Sequence, residues 1–245
     1  MRIRTASIAA LAVAGVVAAA PAGAAPVKEL RIGFLTTYSG GGAVLGKKLD
    51  EGFRIGLMHE GWSKDGDKLG GLPMKLLTGD DQFKPDVGRT VVNKWLKSDR
   101  VHVVAGIVWS NVLMAVARPI ERSRRAMVIT NAGASPLAGR RCSSYFVSTS
   151  WNNDQQPEAM GKLMTDEKID NVYLVAPNYQ AGKDMLAGFG RYYKGKIAGR
   201  LLYKTGQKDF QAEISKLRAA KPNAVFTFSP GGMGIAFLKQ WAASG

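Results

Sequence analysis

Short apolar segments alternate with amphipathic segments along most of this chain. The stretch "ELRIGFLTT" at Glu29–Thr37 has the composition of a buried strand, and residues 43–60 place Leu45, Leu49 and Phe53 mostly on one side of a helix. The pattern continues with strands predicted at 72–80, 101–108 and 126–132 and helices predicted at 87–96 and 112–120. Strands separated by helices pair in parallel, because each crossover returns the chain to the same end of the sheet. The sequence therefore predicts an α/β fold with helices on both faces of a parallel sheet.

A break in this alternation divides the chain into two predicted lobes. Residues 133–154, "GASPLAGRRCSSYFVSTSWNND", lack helical periodicity, and their apolar "YFV" is predicted to be a strand that crosses between lobes. A second series follows, with strands predicted at 171–177, 197–203 and 224–229 and helices predicted at 156–165, 182–193, 210–219 and 233–243. We expect one lobe at 25–146 and another at 147–245, the second incomplete because the chain stops directly after a helix.

The first residues have the pattern of a secretory signal peptide. Arg2 and Arg4 precede an apolar run at 8–20, and small residues follow at 22–24. The apolar run is too short to span about 30 Å of hydrocarbon as a helix. We therefore expect residues 1–24 to be a cleaved signal peptide and the mature protein to be periplasmic.

The charge and the titratable residues exclude several function classes. The net charge is +15, but the densest basic clusters, "GRRC" and "RSRR", are not interleaved with aromatic residues, so no nucleic-acid partner is predicted. His59 and His102 lie far apart, and a metal site needs several converging ligands. Asp80 and Asp81 are neighbours on a strand end and point to opposite faces, so they cannot act as a paired acid and base. No catalytic residue, metal or cofactor is predicted; the single cysteine, Cys142, could be buried, free or paired with a cysteine outside this sequence.

The glycine-rich stretch after the first strand resembles a phosphate-binding loop only in part. In "YSGGGAVLGKK" the spacing of Gly41, Gly46 and Lys47 fits such a loop, but Lys48 stands where a Ser or Thr would bind Mg²⁺. Ligands of open parallel sheets bind beyond the carboxyl ends of the strands. Ser39 and the glycines from Gly40 follow the first strand, so they could form the lip of a binding cleft or a plain turn.

Four blocks of sequence together resemble the branched-chain amino-acid type of periplasmic binding protein. They are "LRIGFLTTYSGGGAVLGKKLDEGFRIGL", "LLTGDDQFKPDVGRTVVNKWL", "VVAGIVWSNVLMAVARPIERSRRAMVITNAGASP" and "YFVSTSWNNDQQPEAM". The resemblance implies a type I fold, in which two α/β lobes joined by three crossings close on a ligand, and a monomeric receptor that serves the membrane permease of an ABC importer. Members of this family are longer than 245 residues, so the resemblance also implies that part of each lobe and two hinge strands are missing here.

The resemblance also implies ligand-binding residues in lobe one. Ser110, in "GIVWS", matches a ligand-binding serine and could equally cap its helix, and Trp109 beside it could be a pocket wall or part of the core. In "NAGASP" the backbone donors run from Ala132 through Gly133 and Ala134 to Ser135. Amino-acid receptors carry a threonine where this chain has Ala134, so that hydroxyl is missing unless Ser135 replaces it.

Two further departures from the family pattern indicate the class of ligand. Ala181 in "NYQAG" stands where a second tyrosine is usual, and Gly232 in "FSPGGMG" stands where amino-acid receptors have an acidic residue. A buried ammonium without a carboxylate partner is costly. We therefore expect a small carboxylate with a flat apolar body, an aromatic acid, held between Trp109, Trp151 and Tyr179. The alternatives are an amino-acid receptor of the same transport class and an extracytoplasmic ligand sensor.

Overall fold

The structure is a computed structural model that describes residues 27–245. The predicted signal peptide lies outside the described residues. Within them, strands form one sheet in the order β2-β3-β1-β4-β5-β6 and another in the order β8-β7-β9. The strands are β1 (Leu30–Thr36), β2 (Lys68–Leu69), β3 (Leu72–Asp80), β4 (Val103–Gly106), β5 (Ala126–Ile129), β6 (Phe146–Ser148), β7 (Asn171–Pro177), β8 (Lys196–Tyr203) and β9 (Ala224–Thr227).

Helices connect nearly all of these strands, as the alternation predicts. They are α1 (Ala43–His59), α2 (Pro85–Lys94), α3 (Ser110–Arg122), α4 (Gln155–Asp166), α5 (Gln180–Tyr192), α6 (Gln211–Ala220) and α7 (Gly232–Ala243). Helix α2 begins at Pro85, two residues before its predicted start, because proline suits the first turn, where its missing N–H costs no hydrogen bond. No helix within residues 27–245 is both long and apolar enough to cross a membrane.

The first sheet is parallel with one exception. Leu30 of β1 pairs with Met74 of β3, and Ile32 pairs with Val103 of β4, all in parallel register. Strand β2 pairs antiparallel with β3 and was not predicted, because two residues are too few to show periodicity. Strand β6 extends the opposite edge by pairing in parallel with β5, and it begins at Phe146, where the division between lobes is predicted.

Helix α1 packs directly against the end of β1. This close contact explains the glycine at position 46, which fits the spacing of a phosphate-binding loop. A Cβ atom on Gly46 would lie 1.8 Å from the carbonyl oxygen of Thr37, so no larger residue fits there. Thr36 also donates its hydroxyl to the Gly46 carbonyl at 3.2 Å. Gly46 is therefore required for packing, and Lys47 beside it is exposed to solvent.

The second sheet is covered by helices on both faces, each with its own apolar core. Leu174 and Phe189 belong to the core on one face, whereas Phe210 and Phe237 belong to the core on the other. Since β7 lies between β8 and β9, its alternate side chains reach both cores. The two sheets and their helices form the α/β architecture that the sequence predicts.

Candidate functional site

The loops at the carboxyl ends of β4, β5 and β7 meet between the two sheets, where open α/β sheets bind ligands. They enclose a central cavity of about 260 Å³. Six of the ten residues predicted to bind ligand line this central cavity: Trp109, Ser110, Ala132, Gly133, Trp151 and Tyr179. Their contact with a ligand stays a prediction, but the fold does bring them together. The backbone N–H of Ala132 is not the free donor that was predicted, because it donates to the Ile107 carbonyl at 3.0 Å.

The other four predicted residues lie elsewhere. Ser39 and Gly40 are exposed at the turn after β1, where the Ser39 hydroxyl donates to Asp80 Oδ2 at 2.6 Å. Ala134 is buried and lines a neighbouring cavity of about 290 Å³. The backbone N–H of Ser135 donates to a carboxylate of the second lobe. The turn after β1 is thus held by its own hydrogen bonds, and Ser39 and Gly40 do not line the central cavity.

Ser110 does not cap helix α3, so that part of its prediction is wrong. Trp109 is the N-cap, with an extended backbone at φ −106° and ψ 130°, and Ser110 is the first helical residue. The indole Nε1 of Trp109 donates to Thr37 Oγ1 at 2.7 Å, which fixes Trp109 outside the helix. The Ser110 hydroxyl is free for another role, and it accepts a hydrogen bond from Asn153 Nδ2 at 3.1 Å.

Four aromatic side chains, Phe83, Trp109, Tyr179 and Phe228, form an aromatic cluster at one end of the central cavity. The rings of Phe83 and Trp109 stack with centroids 3.7 Å apart at 16°. Tyr179 meets both rings edge-on at 5.9 and 6.1 Å, and Phe228 lies 6.4 Å from Tyr179. Phe83 and Phe228 were not predicted from the sequence. Both follow the carboxyl end of a strand, and this position could have indicated that they lie near the cavity.

Tyr179 stays protonated in this cluster. Burial raises the pKa of its phenol far above the usual range, and the nearby Tyr203 and Asp184 raise it further. Burial likewise raises the pKa of Tyr203 to about 12. Both phenols are therefore neutral at physiological pH, and Tyr179 adds no negative charge beside the central cavity.

A polar network of Ser110, Ser135, Asn153, Gln180 and Asp184 borders the central cavity, which Ser110 and Asn153 line. Asn153 Nδ2 lies within hydrogen-bond distance of both Ser110 Oγ and Asp184 Oδ2, at 3.1 and 3.0 Å. Asp184 Oδ2 also accepts the backbone N–H of Ser135 at 3.1 Å, and Oδ1 accepts Gln180 Nε2 at 2.7 Å. One carboxylate of α5 thus holds the loop after β5 and the segment before α4.

A second carboxylate extends this network to the surface. Asp154 Oδ1 accepts the Ser135 hydroxyl at 2.7 Å, and its Oδ2 lies 3.1 Å from Arg191 Nη1. Arg191 also pairs with Glu158. Asp184 was not predicted from the sequence, although an aspartate among the small and apolar residues on the buried side of a helix was a detectable signal.

The lining of the central cavity is uncharged. Among the described residues, those that line it include Asn131, Asn153 and Gln156 but no acidic or basic side chain. Ala181, where the family pattern has a tyrosine, lines it as well. The oxygens of Asp184 already accept hydrogen bonds from the polar network. An ammonium group in this cavity would therefore have no carboxylate partner.

The other titratable groups singled out in the sequence serve structure. Asp80 Oδ1 accepts the backbone N–H groups of Tyr38 and Gln82, whereas Asp81 accepts the Thr37 hydroxyl. Across residues 27–245 no three histidine, cysteine or carboxylate side chains converge to hold a metal. Cys142 is an exposed free thiol.

Several solved structures share this architecture. A solute-binding protein of an ABC transporter from R. palustris, solved with benzoate, is 28% identical at a TM-score of 0.82, over 88% of this chain and 59% of that one. A second such protein, from Rhodopseudomonas palustris BisB5 and solved with 3,4-dihydroxybenzoic acid, is 25% identical at a TM-score of 0.79, over 89% and 59% of the two chains. This chain therefore spans about three fifths of their length.

A more distant structure shows the same fold. The branched-chain amino-acid transporter substrate-binding protein of Streptococcus pneumoniae, solved with isoleucine, is 19% identical at a TM-score of 0.75, over 89% of this chain and 62% of that one. No curated protein matches the sequence. The model of the family described as periplasmic binding protein matches residues 29–245. With nearly every described residue inside that match, the chain belongs to the periplasmic binding protein family, as its sequence resemblance implied.

Proposed function

We propose that this protein is a receptor that binds a small aromatic carboxylate in the central cavity and delivers it to the permease of an ABC importer. Family membership implies a location outside the cytoplasm. The two solved relatives from Rhodopseudomonas carry benzoate and 3,4-dihydroxybenzoic acid. Because this chain spans about three fifths of their length, its own ligand is argued from the geometry of the cavity.

The observation that carries the proposal is a cavity lined, within residues 27–245, by aromatic rings and polar side chains but by no charged side chain. An aromatic ring packed against Trp109 and Tyr179 would gain about 25 cal/mol for each Å² of apolar surface buried. The first N–H groups of α3, from Ser110, lack intrahelical acceptors and favour an anion. The loop at Gly133 lines the same cavity.

The same geometry disfavours a free amino acid. An α-ammonium would sit among neutral side chains, since no acidic residue of the described chain lines the central cavity and Asp184 is occupied by the polar network. Leaving a buried cation without a partner costs several kcal/mol. A carboxylate without an ammonium avoids this cost.

Closure of two lobes on the ligand would produce the transport signal. We assign residues 25–146 and 147–245 to these lobes, and we propose a monomer without a cofactor, exported to the periplasm by the signal peptide at 1–24. The ligand shifts the population from open to closed lobes by binding the closed form more tightly. The permease then recognises the closed form.

Calorimetric titration of the purified protein with benzoate and with leucine tests this proposal. We expect benzoate to bind at least tenfold more tightly than leucine. Ser110→Ala should weaken benzoate binding about fivefold, through the loss of one buried hydrogen-bonding group. The matched control is Ser39→Ala, which removes an exposed hydroxyl outside the cavity and should leave the affinity unchanged. Saturable binding of leucine without binding of benzoate would overturn the proposal.

A further inference from the structure

The aromatic cluster separates the central cavity from a larger one. The larger cavity, of about 530 Å³, is lined by Phe83, Gly206 and Met233. Trp109 and Pro230 line both cavities. The stacked rings of Trp109 and Phe83 therefore form a wall between the two cavities. Trp109 lines the central cavity, whereas Phe83 lines only the larger one.

One buried carboxylate anchors both rings of this wall. Asp81 Oδ1 accepts the Thr37 hydroxyl at 2.5 Å and the backbone N–H of Phe83 at 2.8 Å. Thr37 in turn accepts the indole N–H of Trp109 at 2.7 Å. Thr37 and Asp81 are both fully buried, so water does not compete for these hydrogen bonds. The relative position of the two rings is fixed by the protein.

The backbone that presents Phe83 is held in an unusual conformation. Gln82 and Phe83 have φ angles of 52° and 61°, in the left-handed region that residues other than glycine rarely adopt. Asp80 and Asp81 hold this turn by accepting the N–H groups of Gln82 and Phe83. Such backbone persists where the surroundings determine it, and it concentrates at ligand-handling sites. This strained turn places the Phe83 ring against Trp109.

We infer that Phe83 is a positioning residue that limits the length of the ligand. Its ring supports Trp109 as the end wall of the central cavity, so the cavity admits acids with one ring and excludes acids with two rings in line. Without the Phe83 ring, the indole keeps its hydrogen bond to Thr37 but loses its stacked support, and it tilts about that bond into the vacated space. The two cavities then join. This inference rests on the proposed function, because it assumes a carboxylate held in the central cavity.

The test compares benzoate with biphenyl-4-carboxylate in the wild-type protein, Phe83→Ala and Phe83→Tyr. The wild type should bind benzoate at least tenfold more tightly than the two-ring acid. Phe83→Ala should reduce this ratio at least tenfold, mainly by tighter binding of biphenyl-4-carboxylate. Phe83→Tyr keeps a ring on Trp109 and should preserve the wild-type ratio.

The ratio of the two affinities separates length control from general damage. Phe83 also packs against the core of the second lobe, so its truncation can weaken closure, but that effect lowers both affinities together. An unchanged ratio in Phe83→Ala, with benzoate still bound by the wild type, overturns the inference and leaves the proposed function standing. If the wild type binds no aromatic acid, both the inference and the proposed function are overturned. If Phe83→Ala does not fold, Phe83→Leu replaces it, because leucine also lacks a ring. We expect Phe83→Leu to reduce the ratio of the two affinities, and an unchanged ratio would overturn the inference.

Discussion

The aromatic cluster and the polar network beside the central cavity are built from different kinds of contact. In the polar network, Asp184 accepts hydrogen bonds from Ser135, Asn153 and Gln180 and so joins the loop after β5 to helix α5. In the aromatic cluster, Phe83 and Tyr179 approach each other from different lobes through ring faces and edges. Directional bonds with fixed partners hold the lobes together, whereas packed rings define a shape. We therefore expect the polar network to govern stability and the aromatic cluster to govern the choice of ligand.

The largest effect on stability is expected from Asp184→Ala. This change removes the buried carboxylate that accepts hydrogen bonds from Ser135, Asn153 and Gln180. Hydrogen bonds to charged groups contribute about 1.5–3 kcal/mol, so the free energy of unfolding should fall by about 3 kcal/mol. Urea unfolding followed by circular dichroism measures this loss.

Asp166→Ala is the matched control for Asp184→Ala. Asp166 is an exposed helical carboxylate paired with Lys162, so its removal should cost less than about 0.5 kcal/mol. Equal losses in the two variants would contradict the structural role of the polar network. A changed preference between benzoate and leucine in Asp184→Ala would show that the network also selects the ligand.

A smaller loss is expected from Thr37→Val, at the base of the aromatic cluster. The variant removes the hydroxyl between Trp109 and Asp81. The buried indole N–H of Trp109 then has no acceptor and Asp81 keeps only the N–H of Phe83, at a cost of about 2 kcal/mol. The affinity for benzoate should fall as well, because Trp109 loses its anchor. Calorimetric titration and urea unfolding of the same samples measure both. If Thr37→Val lowers stability but leaves the affinity for benzoate unchanged, the aromatic cluster does not govern the choice of ligand.

The smallest effect is expected from Asp81→Asn, and its sign depends on pH. Burial raises the pKa of Asp81, although hydrogen bonds from Thr37 and Phe83 oppose this. The folded state therefore binds a proton more tightly than the unfolded state, so stability from this group is greatest below a pH of about 4 and is lost as pH rises through the raised pKa. Asparagine cannot ionise. The unfolding free energy of Asp81→Asn, relative to wild type, should therefore rise between about pH 4 and about pH 7.

The neighbouring Asp80 gives a control of opposite sign. Burial there is outweighed by hydrogen bonds from Ser39, Gln82 and Tyr38, which lower the pKa of Asp80. Its stabilising contribution is present above a pH of about 4 and is lost as pH falls. Asp80→Asn should thus lose stability relative to wild type as pH rises. Parallel pH profiles for the two variants would contradict the assigned environments.

Most of the fold could be predicted because its signals are local. The run from Leu30 to Thr36 is apolar enough to indicate a buried strand, and the buried side chains of α3 repeat with helical spacing. Strand β2 could not be predicted in this way, since its two residues owe their conformation to pairing with β3. Helix α3 also begins differently from its prediction, because a hydrogen bond to the distant Thr37 fixes Trp109.

The candidate site was predictable only in part, for a related reason. Trp109, Ser110 and Tyr179 follow strands directly, so the topology of a parallel sheet brings them together. Ser39 follows a strand too, but its hydroxyl is bound to Asp80, a partner that strand order does not reveal. Phe83 reaches the aromatic cluster through two left-handed residues, and no periodicity encodes that turn.

Strand β1 comes first among the described strands, yet it lies between β3 and β4 in the sheet. Leu30 must find Met74, and Ile32 must find Val103, before the centre of the lobe exists. Closing such long loops slows folding, because chain entropy is lost before the contacts form. In a chain that emerges amino terminus first, β1 can pair with β3 once Asp80 has emerged, but its pairing with β4 must wait until Gly106 has emerged. A chaperone that covers apolar segments would have its greatest effect on yield during that interval.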